Sequence, residues 1–197
     1  MRLIHIAAAL IMTTCAASAQ QNSRIRGTVE KLDADGAGIK TMDGQSIPIK
    51  FAPNLTIAVV VKAKISDIKP GDFIGAGARP QADGSLKGIQ ILIFPEAQRG
   101  TGEGHRDWSA MPQTTMTNAT VAETVSNVSG SELTLKYKDG EKKLIIGPDT
   151  NIITTKPGER ADVKIGTELV TTAVKNADGN FTTSRVTVGK DGVAPPL

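Results

Sequence analysis

Hydrophobic and polar residues alternate in short runs along most of this chain. In residues 47–51 and 133–137, for example, every second side chain is apolar. Such alternation is typical of β-strands that turn one face to a core and the other to water. No segment shows a sustained helical period, and the best short-helix candidate is residues 66–69. The pattern therefore predicts an all-β protein.

Turn residues divide the alternating runs into separate strands. Asp-Gly pairs mark expected tight hairpins, because glycine accepts a positive φ, and they lie at residues 43–44, 83–84, 139–140 and 178–179. The strands predicted in the first half are residues 24–32, 38–42, 46–51, 55–61, 73–79 and 86–94. Those predicted in the second half are residues 119–125, 132–137, 142–146, 151–155, 168–175 and 181–188.

The two halves of the chain resemble each other at a fixed offset of 95 residues. Over residues 53–84, nine of 32 positions are identical to their counterparts, for example Gly71 and Gly166. Unrelated sequences of this composition would share about two identical positions. The similarity predicts an internal duplication that produces two related domains, residues 24–94 and 118–188.

The first 19 residues, 1–19, form a predicted signal peptide. Arg2 precedes an apolar run over residues 3–12, and Ala-Ser-Ala at residues 17–19 has the small-x-small pattern of a signal peptidase site. The apolar run is about half as long as a bilayer span requires. Lipid attachment at Cys15 is disfavoured, because the residue before it is larger than usual at such sites. The mature protein is therefore expected to be periplasmic or secreted.

Removal of this leader narrows the chemistry available to the mature chain. It takes away the only cysteine, so disulfides, thiolate zinc sites and cysteine nucleophiles are excluded. It leaves 22 Lys and Arg against 20 Asp and Glu, a net charge of +2. This balance provides no strong electrostatic footprint for nucleic acid or for an anionic membrane.

The length and spacing of the strands predict small barrels. Five or six short strands in each half favour a closed or partly open β-barrel, because closure pairs the strand edges that an open sheet would expose. Pro48 is expected at an edge or a bulge, since proline cannot donate to a ladder. The rest of the mature chain is predicted to form a Gly-rich charged connector, residues 95–117, and a flexible tail, residues 189–197.

The order of the turn motifs resembles a known group of proteins. Residues 27–29 open a strand, an Asp-Gly hairpin follows, and residues 67–72 lead into another strand, with residues 161–166 in the same place in the second half. This arrangement resembles exported bacterial domains of unknown function with an OB-like barrel. The resemblance covers most of the mature chain. It implies two tandem OB-like β-barrels in an exported protein, and it implies no catalytic residues.

The connector concentrates the groups that could bind a ligand. It holds the only tryptophan, Trp108, and the only histidine of the mature chain, His105. The candidates for a ligand site or an interface are Glu96, Arg99, Arg106 and Trp108. A divalent metal ion held by Glu103, His105 and Asp107 is a second interpretation, because residues two apart point to one side of an extended backbone. The favoured interpretation is structural: Trp108 packs on a barrel, and the arginines pair with nearby acids.

Three functions remain open at this point. The small number of catalytic groups favours a non-enzymatic binding or assembly module of the bacterial cell envelope, without a cofactor, whose partner is an envelope protein or another periplasmic component rather than nucleic acid. The first alternative is a periplasmic metal-binding protein that uses the connector. The second is a hydrolase of envelope polymers, which needs two carboxylates across a cleft, whereas most carboxylates here fall in turns or on outward strand positions.

Overall fold

The computed structural model describes residues 22–127 and 130–196, and the predicted signal peptide lies outside them. The described chain forms twelve strands and three short 3-10 helices, so the predicted all-β class is confirmed. The strands are β1 (Asn22–Asp33), β2 (Gly36–Thr41), β3 (Ser46–Lys62), β4 (Phe73–Pro80), β5 (Leu86–Ile93), β6 (Gly104–Asp107), β7 (Thr115–Asn127), β8 (Gly130–Tyr137), β9 (Gly140–Ile146), β10 (Asn151–Pro157), β11 (Glu168–Lys175) and β12 (Phe181–Gly189). The 3-10 helices are Ile65–Asp67, Glu96–Gln98 and Arg160–Asp162. None of the helices in this part of the chain is long and apolar enough to cross a membrane.

The strands follow the predicted runs, with two differences. β3 continues through Pro53, where the sequence predicts two separate strands. The ladder between β3 and β12 is interrupted between Phe51 and Thr56, so Pro53 lies where no ladder bond is lost through its missing N–H. β6 arises within the connector and adds to the edge of β7.

Two rings of five strands organise the sheet. The first ring has the order β12-β11-β1-β2-β3 and is closed by parallel pairing of β3 with β12. The second has the order β5-β4-β7-β8-β9 and is closed by parallel pairing of β5 with β9. The predicted closed β-barrel is thus confirmed, and closure removes the exposed edges that a small open sheet would have.

Each ring takes strands from both halves of the chain. The sequence predicts one barrel within residues 24–94 and another within residues 118–188. In the structure, β1, β2 and β3 of the first half close with β11 and β12 of the second, whereas β7, β8 and β9 close with β4 and β5. The predicted barrel boundaries are therefore corrected: each half contributes three strands to one ring and a hairpin to the other.

The hairpin of β4 and β5 and the hairpin of β11 and β12 pair in the same way, each in a ring with three strands of the other half. Val29 exchanges backbone hydrogen bonds with Gly166 and Thr167, and Val121 does so with Gly71 and Asp72. The parallel pairings show the same relation, since Phe181 pairs with Ile49 and Leu86 pairs with Leu144. In each comparison, the residue number in the second hairpin exceeds that of the equivalent residue in the first hairpin by 95, which is the offset seen in the sequence.

β3 and β10 join the two rings by pairing antiparallel. Val60 lies opposite Thr155, and the pairs on either side of it are Val61 with Thr154 and Val59 with Lys156. Thr155 is the counterpart of Val60 at the offset of 95. The pairing is therefore symmetric about this position, as in a local two-fold arrangement of the two strands.

Two separate cores fill the rings. The first ring buries Ile25, Val29, Ala37, Ile39, Ile49, Val59, Val163, Leu169, Ala173, Val186 and Val188. The second buries Ile68, Ile74, Ala76, Ala78, Leu86, Ile91, Ala119, Val121, Leu133, Leu135, Leu144, Ile146 and Ile152. Full burial of one aliphatic side chain contributes about 1.5–3 kcal/mol. The hairpin of β4 and β5 and that of β11 and β12 are therefore held in place by core packing as well as by their ladders.

The chain after β12 lies against the junction of the two rings. The sequence predicts a flexible tail over residues 189–197, yet Val193 is buried and packs with Val60 and Ile153. Pro196 is also fixed, because its carbonyl accepts a hydrogen bond of 2.9 Å from Arg26. Apolar burial and this charged donor together anchor the segment up to Pro196.

Candidate functional site

Trp108 anchors the connector on the outside of the second ring. Its side chain is 8% exposed, and it follows directly after β6. The ring lies over Gly77 of β4, where a Cβ atom would come within 2.4 Å of the indole. Only a glycine permits this approach, so the local sequence of β4 determines where the connector can dock.

Glu96 and Arg99 hold the start of the connector. Arg99 donates to both carboxylate oxygens of Glu96, at 2.6 and 2.7 Å, and to the carbonyl of Gly71 at 2.8 Å. These bonds keep the pKa of Glu96 below its usual value, because Arg99 donates to its ionised form. Two of the four interface candidates are therefore engaged with each other, in a contact between the connector and the turn before β4.

Arg106 and Asn118 fix the middle of the connector. Arg106 donates to the carbonyl of Gly102 at 2.8 Å, and Asn118 donates to the carbonyl of Thr101 at 2.8 Å. Neither contact neutralises the charge of Arg106. This arginine is exposed and lies within 4 Å of no described carboxylate.

The three residues of the metal hypothesis do not gather at one point. Glu103 accepts a hydrogen bond from the backbone N–H of Lys138, whereas His105 Nδ1 lies 2.8 Å from the hydroxyl of Thr117. Across residues 22–127 and 130–196, no group of three or more His, Cys, Asp or Glu side chains is arranged to hold a metal ion. The structure therefore gives Glu103 and His105 separate structural contacts.

His105 occupies a partly buried position between strands. Its ring stacks on Tyr137, with ring centroids 6.3 Å apart. Burial lowers the pKa of His105, the nearby positive charge of Lys142 lowers it further, and Asp107 only partly offsets both. The imidazole is therefore neutral at pH 7, and it acts as a packing group with one hydrogen bond.

A groove of about 650 Å³ lies across the two rings, and we call it the central groove. β4 and β5 line one side of its floor, and β11 and β12 line the other; the floor residues are Gly75, Gln90, Leu92, Val170, Thr171, Thr172, Arg185 and Thr187. The connector forms one wall and includes Arg106 and Trp108, while Arg24 and Pro196 stand on the opposite side. The volume is in the range of small-ligand sites, which is about 300–1,000 Å³.

Three arginines give the central groove its charge. Arg24, Arg106 and Arg185 line it, and none of them lies within 4 Å of a described carboxylate. Among the described residues, Asp107 is the single acidic one that lines the groove. A guanidinium offers donors in a planar fork that fits a carboxylate or a phosphate. The arrangement can therefore bind an anionic group.

A bulge in β12 sets the position of Arg185. In the pairing with β11, β12 has one extra residue between Thr182 and Val186, which lie opposite Val174 and Thr171. The buried hydroxyls of Thr171 and Thr183 are 2.7 Å apart and lie within hydrogen-bonding distance of the Arg185 carbonyl, at 2.6 and 2.9 Å, while the Thr183 hydroxyl accepts from the Arg185 N–H at 3.2 Å. These bonds fix the backbone at the point where the Arg185 side chain enters the groove.

A second cavity, of about 680 Å³, adjoins the groove. We call it the side cavity; its lining includes Arg79, Asp107, Trp108, Ser109 and Thr115. Asp107, Trp108 and Ser109 line both cavities, so this part of the connector is the wall between them. Arg79 is exposed and also has no described carboxylate within 4 Å.

Sequence reasoning found part of this site. It singled out Arg106 and Trp108, which line the central groove, and Glu96 and Arg99, which do not. It missed Arg24 and Arg185. Arg24 lies in β1 and Arg185 lies in β12, and each of these strands pairs with a strand from the other half of the chain, which the sequence pattern does not predict. The sequence does contain one signal. The residue that corresponds to Arg185 in the first half, at the offset of 95, is Gln90, so the positive charge of Arg185 has no counterpart there.

Comparison with known proteins does not extend this account. Neither the protein-family models, nor the curated proteins, nor the solved structures contain a significant match to the chain.

Proposed function

We propose that this chain is an exported, non-enzymatic binding or assembly module of the bacterial cell envelope, and that its central groove receives a partner from the envelope. The observation that carries the proposal is the set of three arginines without carboxylate partners in a groove lined by both rings. All three arginines are exposed to solvent, so their guanidinium groups can donate to the anionic groups of a partner.

The proposal includes an origin for the groove. Two tandem OB-like barrels, produced by duplication, exchanged their C-terminal hairpins. The shared offset of 95 in the strand pairings of both rings supports this origin. Exchange places β4 and β5 beside β10, and β11 and β12 beside β3, so that one sheet surface runs across both rings. A binding surface on that sheet is then a property of the pair rather than of either barrel.

The residues present favour binding over catalysis. In the part of the chain that the structure describes, Asp107 is the single carboxylate in the groove, whereas hydrolysis of a glycosidic bond needs two across a cleft. His105, the histidine of the mature chain, is held against Thr117 and Tyr137. The Ala-Ser-Ala site at residues 17–19 supports export, and the partner is accordingly an envelope protein or another periplasmic component.

A photo-crosslinking experiment tests the proposal. A photoreactive phenylalanine analogue replaces Ser109, which is exposed and lines both cavities. The same analogue at Lys40, an exposed residue of β2, is the matched control. Irradiation of cells that export each variant should give a discrete adduct from position 109 that is absent from position 40. An excess of mature protein without the analogue should compete it away.

Two results would overturn the proposal. One is an identical adduct pattern from both positions, which would show that contact at the groove is not selective. The other is the absence of any adduct from position 109 when the variant is folded and exported.

A further inference from the structure

The arginines of this protein divide into two groups according to their surroundings. Arg24, Arg106 and Arg185 line the central groove and Arg79 lines the side cavity, and none has a described carboxylate within 4 Å. The other three described arginines line neither cavity, and each contacts an acidic or aromatic side chain of the protein. Arg26 pairs with Glu168, Arg99 pairs with Glu96, and Arg160 lies over the ring of Phe51.

The lysines are distributed differently. The chain has 15 lysines, and none of them lines either cavity. A uniformly positive surface would place both cations in the cavities. Selection of arginine points to recognition of planar anionic groups, because a guanidinium donates two parallel hydrogen bonds to a carboxylate or a phosphate whereas an ammonium acts as a point charge.

We propose, resting on the proposed function, that the central groove and the side cavity form one trough for an extended acidic polypeptide segment of the partner. The two cavities adjoin across Asp107, Trp108 and Ser109, so a ligand that crosses this wall can reach Arg79 as well as the arginines of the groove. A compact anion would contact only one side of the wall.

An open strand edge favours a polypeptide over other polyanions. β6 pairs with β7 alone, so in the described part of the chain its second edge has no partner strand. Arg106 and Asp107 of β6 line the groove at this edge. An extended peptide can add to such an edge through backbone hydrogen bonds, while alternate side chains reach the arginines.

The lining suits a strand with acidic and small polar side chains. Thr115, in the wall of the side cavity, has a buried hydroxyl that lacks a hydrogen-bond partner. Phe94, Leu92 and Met116 provide apolar surface in the central groove. Acidic residues two apart on a strand point to one side, which brings their carboxylates toward the arginines.

Synthetic peptides provide the test. The mature protein is titrated with a 12-residue peptide of alternating Glu and Thr, and with a control of the same length in which Gln replaces Glu. Fluorescence of Trp108 reports occupancy, because it is the only tryptophan and lines both cavities. The acidic peptide should bind at least about tenfold more tightly than the neutral one.

Three variants locate the peptide. Arg79→Gln and Arg185→Gln should each weaken binding by about tenfold, as expected for the loss of a charge-assisted hydrogen-bonded pair. Lys40→Gln removes the same charge from an exposed position outside both cavities and should leave the affinity within about twofold. Arg185→Lys should recover only part of the loss, since the ammonium cannot bind in the bidentate mode.

Each remaining outcome overturns the inference. Equal losses for Arg79→Gln, Arg185→Gln and Lys40→Gln would show unspecific attraction to positive charge. An Arg79→Gln variant that binds like the unmodified protein would show that the ligand does not cross the wall. Tighter, arginine-dependent binding of polygalacturonate or single-stranded DNA would reject a polypeptide as the ligand. Absence of peptide binding with a persistent adduct from position 109 would reject the acidic segment but keep the binding module.

Discussion

Substitution of Gly77 by alanine tests how the connector is attached. A Cβ atom at this position would lie 2.4, 2.6 and 2.9 Å from three carbon atoms of the Trp108 ring. Such distances require the indole or β4 to move. Because Ile74, Ala76 and Ala78 bury β4 in its core, the indole is the part that yields.

The expected magnitude follows from the burial of Trp108. The side chain is 8% exposed, and truncation of a buried aromatic side chain to alanine costs about 3–5 kcal/mol. Overpacking by one methyl group costs about 1–3 kcal/mol when the neighbour relaxes. We expect Gly77→Ala to lower the free energy of unfolding by about 2 kcal/mol and to shift the Trp108 emission toward the wavelength of exposed tryptophan.

Urea unfolding followed by tryptophan fluorescence measures both effects. Gly147→Ala is the matched control, because a Cβ atom there would meet no atom within 4 Å. It should change the free energy of unfolding by less than about 0.5 kcal/mol. In a Trp108→Ala background, read by circular dichroism, Gly77→Ala should cost almost nothing, since the clash has been removed. A cost of about 2 kcal/mol that persists in that background would refute the contact.

Three further predictions concern single side chains. Hydrogen bonds from the Glu159 N–H and from Lys190 lower the pKa of Asp162, so its stabilisation is present at neutral pH and is lost as the pH falls below about 4; Asp162→Asn should flatten that part of a chemical-denaturation profile. The lowered pKa of His105 means that protonation favours the unfolded chain, so stability should decrease as the pH falls below about 6.5, and His105→Asn should remove this slope. Thr183→Val removes the hydroxyl that accepts from the Arg185 N–H at 3.2 Å and lies 2.7 Å from the Thr171 hydroxyl, so it should lower the free energy of unfolding by about 1–3 kcal/mol in urea titrations; an unchanged midpoint would contradict the described network.

Turns and single strands could be predicted because they depend on residues that are adjacent in the sequence. The Asp-Gly pair at residues 83–84 gives a turn in which Gly84 has a φ of +83°, and the alternation in residues 133–137 gives a strand with Leu133 and Leu135 fully buried. The long β3 was predicted as two strands because Pro53 normally ends a run. Pro53 is tolerated within β3 because the ladder with β12 is interrupted at this point, and no local sequence pattern indicates that interruption.

Strand partners were not predictable from the same patterns. The hairpin of β4 and β5 and that of β11 and β12 have similar alternation and lie 95 residues apart, so their local sequences do not indicate which ring each one joins. The segment that leads from β3 to β4 contains only a short 3-10 helix, Ile65–Asp67, and it carries no signal for the ring that the hairpin joins. Arg185 could not be assigned to the groove for the same reason, whereas Trp108 was identifiable as the only tryptophan of the chain.

The central groove depends on the closure of each ring by a hairpin from the other half of the chain. Nuclear Overhauser contacts between backbone protons of adjacent strands test it without altering the chain. The account predicts contacts between β1 and β11, with Thr28 opposite Glu168, and between β4 and β7, with Ile74 opposite Ala119. Contacts between β1 and β4 and between β7 and β11, in place of these, would show that each half closes its own barrel and would contradict the account.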